Sequence, residues 1–78
     1  MCINDPTTAM SNVVQLNGNY YFVDSRLTFD HGYETMVFEC DENGHVLSWR
    51  DLYSECYSCE EDMKDGHSEI IRNLGAYL

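Results

Sequence analysis

Asn17-Gly18 lies between two β-rich runs, Val13–Leu16 and Asn19–Val23, and no other pair constrains this chain so tightly. A type I′ turn needs positive φ at both central residues, and Asn followed by Gly meets that demand at little steric cost. The pair therefore predicts a β-hairpin, its second strand running on as far as Thr28. Residues 29–32 (FDHG) read as the next turn, and residues 33–40 (YETMVFEC) as a third strand with Met36, Phe38 and Cys40 on one face. DENG, residues 41–44, suits a four-residue hairpin loop with Gly44 in the left-handed region. Closing that loop with Cys40 opposite His45 sets Phe38 against Leu47 and Met36 against Trp49. A slip of one residue would put Phe38 against Ser48 and break the apolar face. The alternation blurs at Arg50-Asp51, where a bulge is expected, and the strand resumes over residues 52–57.

After Tyr57 the period changes. Ser58 followed three residues later by Glu61 is the pattern of a capping box, and Glu60, Glu61 and Asp62 fall in the first turn, where the helix dipole favours anions. At 100° per residue Cys59, Met63, Gly66, His67, Ile70 and Leu74 share one arc, with Ile71 at its edge. Gly75 reads as the helix stop. Gly66 on the apolar arc is expected to let the helix sit close to the sheet, against Trp49 or Tyr53. The expected fold class is α+β: a small antiparallel sheet of two hairpins (three to four strands) with one C-terminal helix packed on one face. Residues 1–11, which hold the only proline and no periodicity, read as a flexible tail, and residues 12–78 as a single domain.

Seventy-eight residues allow one domain with a modest core, and 44% hydrophobic content argues against a disordered chain. No apolar run approaches a membrane span, and no basic region precedes an apolar stretch as in a secretory signal. The expected compartment is the cytoplasm of a bacterial host, where four cysteines are expected to stay reduced. Fourteen acidic residues against four basic ones give a net charge of −10. That charge repels phosphates, so direct contact with nucleic acid or an anionic membrane is not expected, whereas a basic protein surface is attracted.

Candidate chemistry is sparse. Cys59 and His67 are eight residues apart on one helix, about 12 Å along its axis, which is too far to share a zinc ion comfortably. The three-ligand set that survives this test is Cys56, Cys59 and His31. Cys56-x-x-Cys59 lacks the βαβ setting of a thioredoxin-like dithiol. His67 reads as a satisfied core histidine, and Asp30-His31 as a solvent-facing turn pair. No enzyme, cofactor or metal is expected. The acids are different in kind. Glu60, Glu61, Asp62, Asp65 and Glu69 span about 13.5 Å of helix axis, one negative charge per roughly 2.7 Å against about 1.7 Å for duplex DNA. With Asp41 and Glu42 in the exposed turn, they are the expected partner-binding residues.

The strings YETMVFECDENG (33–44), SWRDLY (48–53) and GHSEIIRNL (66–74) resemble a pattern of short uncharacterised proteins in bacterial, prophage and phage genomes. The pattern runs ETMVF, a turn, W-x-x-L-Y, an acidic helix start and G-H, and covers about residues 30–74. It brings no catalytic residues with it, and Cys40, Cys56 and Cys59 depart from it. In size and acidity the chain is similar in kind to anti-CRISPR and other anti-defence proteins, several of which occupy nucleic-acid sites on a host complex. The expectation is a phage-encoded, non-enzymatic inhibitor of a host defence or nucleic-acid-handling complex, a CRISPR effector for example, acting as a nucleic-acid mimic. The alternatives are a small-ligand or nucleotide binder using Arg26 and Arg50, and a generic protein-interaction module.

Overall fold

The computed structural model describes residues 9–29 and 32–78. Strand β1 (Ala9–Leu16) turns through Asn17 (φ 53°) and Gly18 (φ 84°) into β2 (Asn19–Thr28), with Leu16 opposite Asn19. The expected hairpin is present, but it is longer than its apolar pattern. Ala9, Met10 and Ser11, read as part of a flexible tail, pair with Arg26, Ser25 and Asp24. A ten-residue β2 offers a backbone partner all along its length, and ladder hydrogen bonds do not require alternating side chains. Residues 1–8 of the expected tail lie outside the described residues.

β3 (Gly32–Cys40) pairs antiparallel with β2 from Thr28–Gly32 to Tyr20–Cys40, and β4 (Tyr53–Tyr57) pairs antiparallel with β3. The sheet is four-stranded in the order β1-β2-β3-β4. The β3–β4 connection corrects the expected register. Cys40 bridges Val46, not His45, and the ladder proper begins only at Val37–Tyr53. Three steps along β3 therefore face seven along the returning chain, and the intervening residues leave the sheet. Phe38–Leu47 and Met36–Trp49 do not form as ladder pairs, and the bulge expected at Arg50-Asp51 is part of this larger excursion. Leu47 N–H still reaches the Glu39 carbonyl and Leu52 N–H the Val37 carbonyl.

Burial explains the choice. The observed register sets Tyr53 beside Val37 and Tyr57 beside Tyr33, where Tyr53 stacks edge-on with Tyr77 at 4.8 Å. The tighter hairpin would have lined up Leu47 and Trp49 on the face away from the helix. Leu47 and Trp49 instead stay 63% and 74% exposed, Trp49 touching Phe38 edge to face at 5.2 Å.

The C-terminal helix α1 (Glu60–Arg72), followed by the single turn α2 (Leu74–Tyr77), packs against one face of the sheet. Met63, Gly66, His67, Ile70 and Leu74 are buried as their spacing predicts, with Cys59 half-buried. Val23, Val37, Ile70 and Leu74 form the centre of the core. The helix thus covers the face of β3 that carries Thr35 and Val37, opposite to the one that carries Met36 and Phe38. β3 is apolar on both faces over Met36–Phe38, so its two-residue period could not choose between them. Gly66 does permit a close approach, but to Tyr57 rather than Trp49 or Tyr53: a Cβ at residue 66 would overlap the Tyr57 ring and hydroxyl.

Both helix ends differ from expectation. Cys59, in extended conformation, is the N-cap residue and has no side-chain capping bond. Its carbonyl accepts from Met63 N–H at 3.1 Å, while Ser58, one residue too early, donates its hydroxyl to Asp62 Oδ2 at 3.4 Å. The capping box does not form. α1 ends at Asn73, whose N–H bonds the Glu69 carbonyl, and Gly75 lies inside the next helical turn instead of stopping the helix.

Candidate functional site: an acidic helix face

Burial of Met63, Gly66, His67 and Ile70 turns the opposite side of α1 to solvent. At 100° per residue Glu61, Asp65, Glu69 and Asp62 then fall within one 100° arc, and all four residues are exposed. Arg72 lies in the same arc one turn on. Glu60 stands at the margin, half-buried, with Lys64 Nζ at 3.5 Å from its Oε1. The helix therefore presents four clustered carboxylates and a fifth that is partly neutralised.

The turn acids sit on a separate element, the β3–β4 connection. Asp41 follows Cys40, which pairs with Tyr20 beside the Asn17-Gly18 turn, whereas α1 starts just after Tyr57, which pairs with Tyr33 at the other end of the sheet. Asp41 is also occupied. Its Oδ1 accepts from Asn43 N–H (2.8 Å) and His45 N–H (2.9 Å), and its Oδ2 lies 3.3 Å from His45 Nδ1. The His45 N–H bond, followed by that of Asn43 and the His45 ring, holds the Asp41 carboxyl below the usual carboxylate range against some desolvation. Asp41 shapes the turn; Glu42 is exposed.

Two clusters escaped the sequence reading. The first is a buried chain of hydrogen bonds between helix and sheet. Thr35 Oγ1 and Ser25 Oγ are bonded, Ser25 Oγ lies 2.6 Å from His67 Nδ1, and His67 Nε2 lies 2.8 Å from Asn12 Oδ1. With the Asn12 oxygen facing it, Nε2 carries the proton and donates, and Nδ1 accepts from Ser25. Burial pushes the His67 pKa down, opposed by the Asp24 carboxylate. Hydroxyl, imidazole and amide stand in the order of a nucleophile, base and orienting group. Ser25 and Thr35 are fully buried, however, so no substrate atom can approach Ser25 Oγ, and the chain serves to seat the helix. Finding it required the strand register, because Asn12, Ser25, Thr35 and His67 are scattered along the sequence.

The second is a groove of about 450 Å³ on the sheet face away from α1, lined by Phe22, Asp24, Arg26, Met36, Phe38 and Trp49. Arg26 donates from Nε and Nη2 to the two oxygens of Asp24, at 2.7 and 2.9 Å. Asp24 is only 7% exposed on its side chain against 54% for Arg26, so the pair places a cation at the groove surface. An Asp-x-Arg spacing on one strand puts both on the same face and was legible in the sequence.

The three described cysteines differ in setting. Cys40 is buried, Cys59 half-buried and Cys56 exposed, its thiol 3.7 Å from Glu34 Oε2. Desolvation of the sulfur and then the Glu34 carboxylate push the Cys56 thiol up, away from the thiolate that redox or metal chemistry uses. Among the described residues no three His, Cys, Asp or Glu side chains stand close enough to hold a metal ion, and His31 of the candidate set Cys56, Cys59 and His31 lies outside them. No described helix is long and apolar enough to cross a membrane.

The fold and site define an α+β domain, a four-stranded antiparallel sheet with an acidic C-terminal helix on one face. Compared with family models, curated proteins and solved structures, the chain matches none.

Proposed function

We propose that this chain is a non-enzymatic, phage-encoded inhibitor of the anti-CRISPR kind. It binds a bacterial defence or nucleic-acid-handling complex in the host cytoplasm by laying its acidic helix on a basic surface that otherwise receives nucleic acid. One observation carries the reading: Glu61, Asp62, Asp65 and Glu69 are exposed together on the side of α1 opposite its buried face. A row of carboxylates on a rigid helix can replace a row of phosphates against lysines and arginines. The long-range attraction speeds encounter, and nucleic acid is excluded by occupancy.

The test is capture from a bacterial lysate with the wild type and with Glu61→Lys, Asp65→Lys and Glu69→Lys combined, followed by a nucleic-acid-binding assay on the captured complex. The wild type is expected to displace nucleic acid, the triple variant to lose capture while melting as the wild type does, and binding to weaken steeply with salt. Capture that survives both the triple reversal and excess DNA would remove the acidic face from the mechanism. A second reading is favoured by the groove: its aromatic walls and the exposed edge of Arg26 suit a small planar anion. That reading predicts quenching of Trp49 fluorescence by such a ligand, lost in Arg26→Ala.

A further inference from the structure

The acids that crowd α1 are missing from one whole strand. In a chain of which 23% is charged, no charged residue occurs between Asp5 and Asp24. β1, which lies inside that stretch, is an edge strand. Its eight residues pair with β2 without a break in register, so no bulge deforms it, and they include no proline. Edge strands are ordinarily shielded by charge, proline, bulges or brevity. The opposite edge follows that rule, since β4 has five residues with Glu55 at its centre. β1 uses none of these protections.

The turn fixes which backbone groups β1 leaves free. In a two-residue hairpin the residues flanking the turn form a doubly hydrogen-bonded pair, and hydrogen-bonded and open positions alternate from there. Leu16 faces Asn19 across the turn, so Leu16, Val14, Asn12 and Met10 direct N–H and C=O toward β2. Ala9, Ser11, Val13 and Gln15 direct theirs outward, and all four of these residues are exposed.

We propose that this edge is the docking site for β1 of a second copy of the chain, paired antiparallel about a two-fold axis normal to the sheet. Two features of the edge select that occupant. It has no charge with which to choose a basic partner. It is also the one strand at which two copies of net charge −10 meet without placing acid against acid, because every other strand carries a carboxylate. The register that uses every free group centres on Asn12, with Ala9 opposite Gln15 of the second copy and Ser11 opposite Val13. Met10 then lies against Val14 of the second copy on the helix side. The groove between β1 and the end of the helix, lined by Val14, Leu16, Ile71 and Leu74 among others, runs alongside the new pair. The two-fold keeps both helices on one face of an eight-stranded sheet, so their acidic sides point the same way. The pairing stands whether or not the acidic face binds a basic target.

Sedimentation of the full chain in reducing buffer over a range of concentrations is expected to show a monomer–dimer equilibrium. Amide exchange is expected to show concentration-dependent protection at Ser11, Val13 and Gln15, while Asn12 and Val14 are protected at every concentration. Ser11→Pro removes an outward N–H that has no β-ladder partner among the described residues, and is expected to yield a monomer in which the amides facing β2 stay protected. A wild type that is monomeric at all concentrations overturns the proposal, as does a dimer in which Ser11, Val13 and Gln15 exchange freely. Protection of these amides only when a different protein is added also overturns it. If Ser11→Pro fails to fold, the wild-type exchange pattern decides alone.

Discussion

His67 is neutral in its site because burial disfavours the imidazolium, and both ring nitrogens are already committed to Ser25 and Asn12. Its folded pKa lies below the unfolded value near 6.5, so the unfolded chain binds the proton more readily. The contribution is fully present above that unfolded value and is lost as pH falls toward the folded pKa. Urea titrations between about pH 7 and pH 5 are expected to show falling stability, with the slope reduced in His67→Gln. An equal slope in that variant would assign the effect to other groups; that of Asp41 belongs to a more acidic window. Gly66 and Tyr57 form the other decisive residue pair. Tyr57 Oη is buried and has no hydrogen-bond partner among the described residues, and it occupies the space a Cβ at Gly66 would need. Gly66→Ala is expected to destabilise by about 1–3 kcal/mol through overpacking, despite a gain of about 1 kcal/mol in helix propensity. Tyr57→Phe removes the unpaired hydroxyl and is expected to be neutral or stabilising, and to lessen the cost of Gly66→Ala in the double variant. Additive chemical-melt values would show that the two side chains do not compete for space.

At the scale of elements, α1 starts without a side-chain cap although Ser58 is adjacent. Cys59 occupies the capping position with extended backbone, and its sulfur is a poor acceptor. Cys59→Ser puts an oxygen within reach of the free N–H groups of Glu61 or Asp62 and is expected to stabilise the domain by about 0.5–1 kcal/mol in a thermal melt. Ser58→Ala, which loses only an exposed 3.4 Å contact to Asp62, is expected to change little. The reverse order of effects would restore Ser58 as the cap. The β3–β4 excursion follows the same logic of competing local and tertiary demands. Asp41 and Gly44 build a tight turn, yet the chain leaves the ladder soon after it because Tyr53 and Tyr57 gain more by lying under the helix. Trp49, the largest side chain, is left on the outer surface.

For the whole molecule, charge and core act in opposition. Fourteen acids repel one another in any compact state, while the central core is small. Screening relieves that repulsion, so the melting temperature at neutral pH is expected to rise with added salt even as binding to a basic target weakens. The same melts run with reductant and chelator are expected to stay cooperative, since neither a disulfide nor a metal enters the packing described. Loss of cooperativity that zinc or oxidation restores would give the cysteines a structural role.

The sequence by itself determined what rests on short-range physics. Asn17-Gly18 names its own turn, because few residues accept positive φ, and the spacing of Met63, Gly66, His67, Ile70 and Leu74 names the buried side of the helix. The acidic face follows from that spacing by subtraction, so Glu61, Asp62, Asp65 and Glu69 were legible as a group. What only the tertiary structure decided is which side of the sheet the helix covers. Met36–Phe38 is apolar on both faces, and the choice fell to partners outside the strand: Ser25, bonded to Thr35, offering its hydroxyl to His67, Tyr57 fitting over Gly66, and Tyr53 meeting Tyr77. Such partners contribute nothing until the strands are in register, so no local pattern can record them.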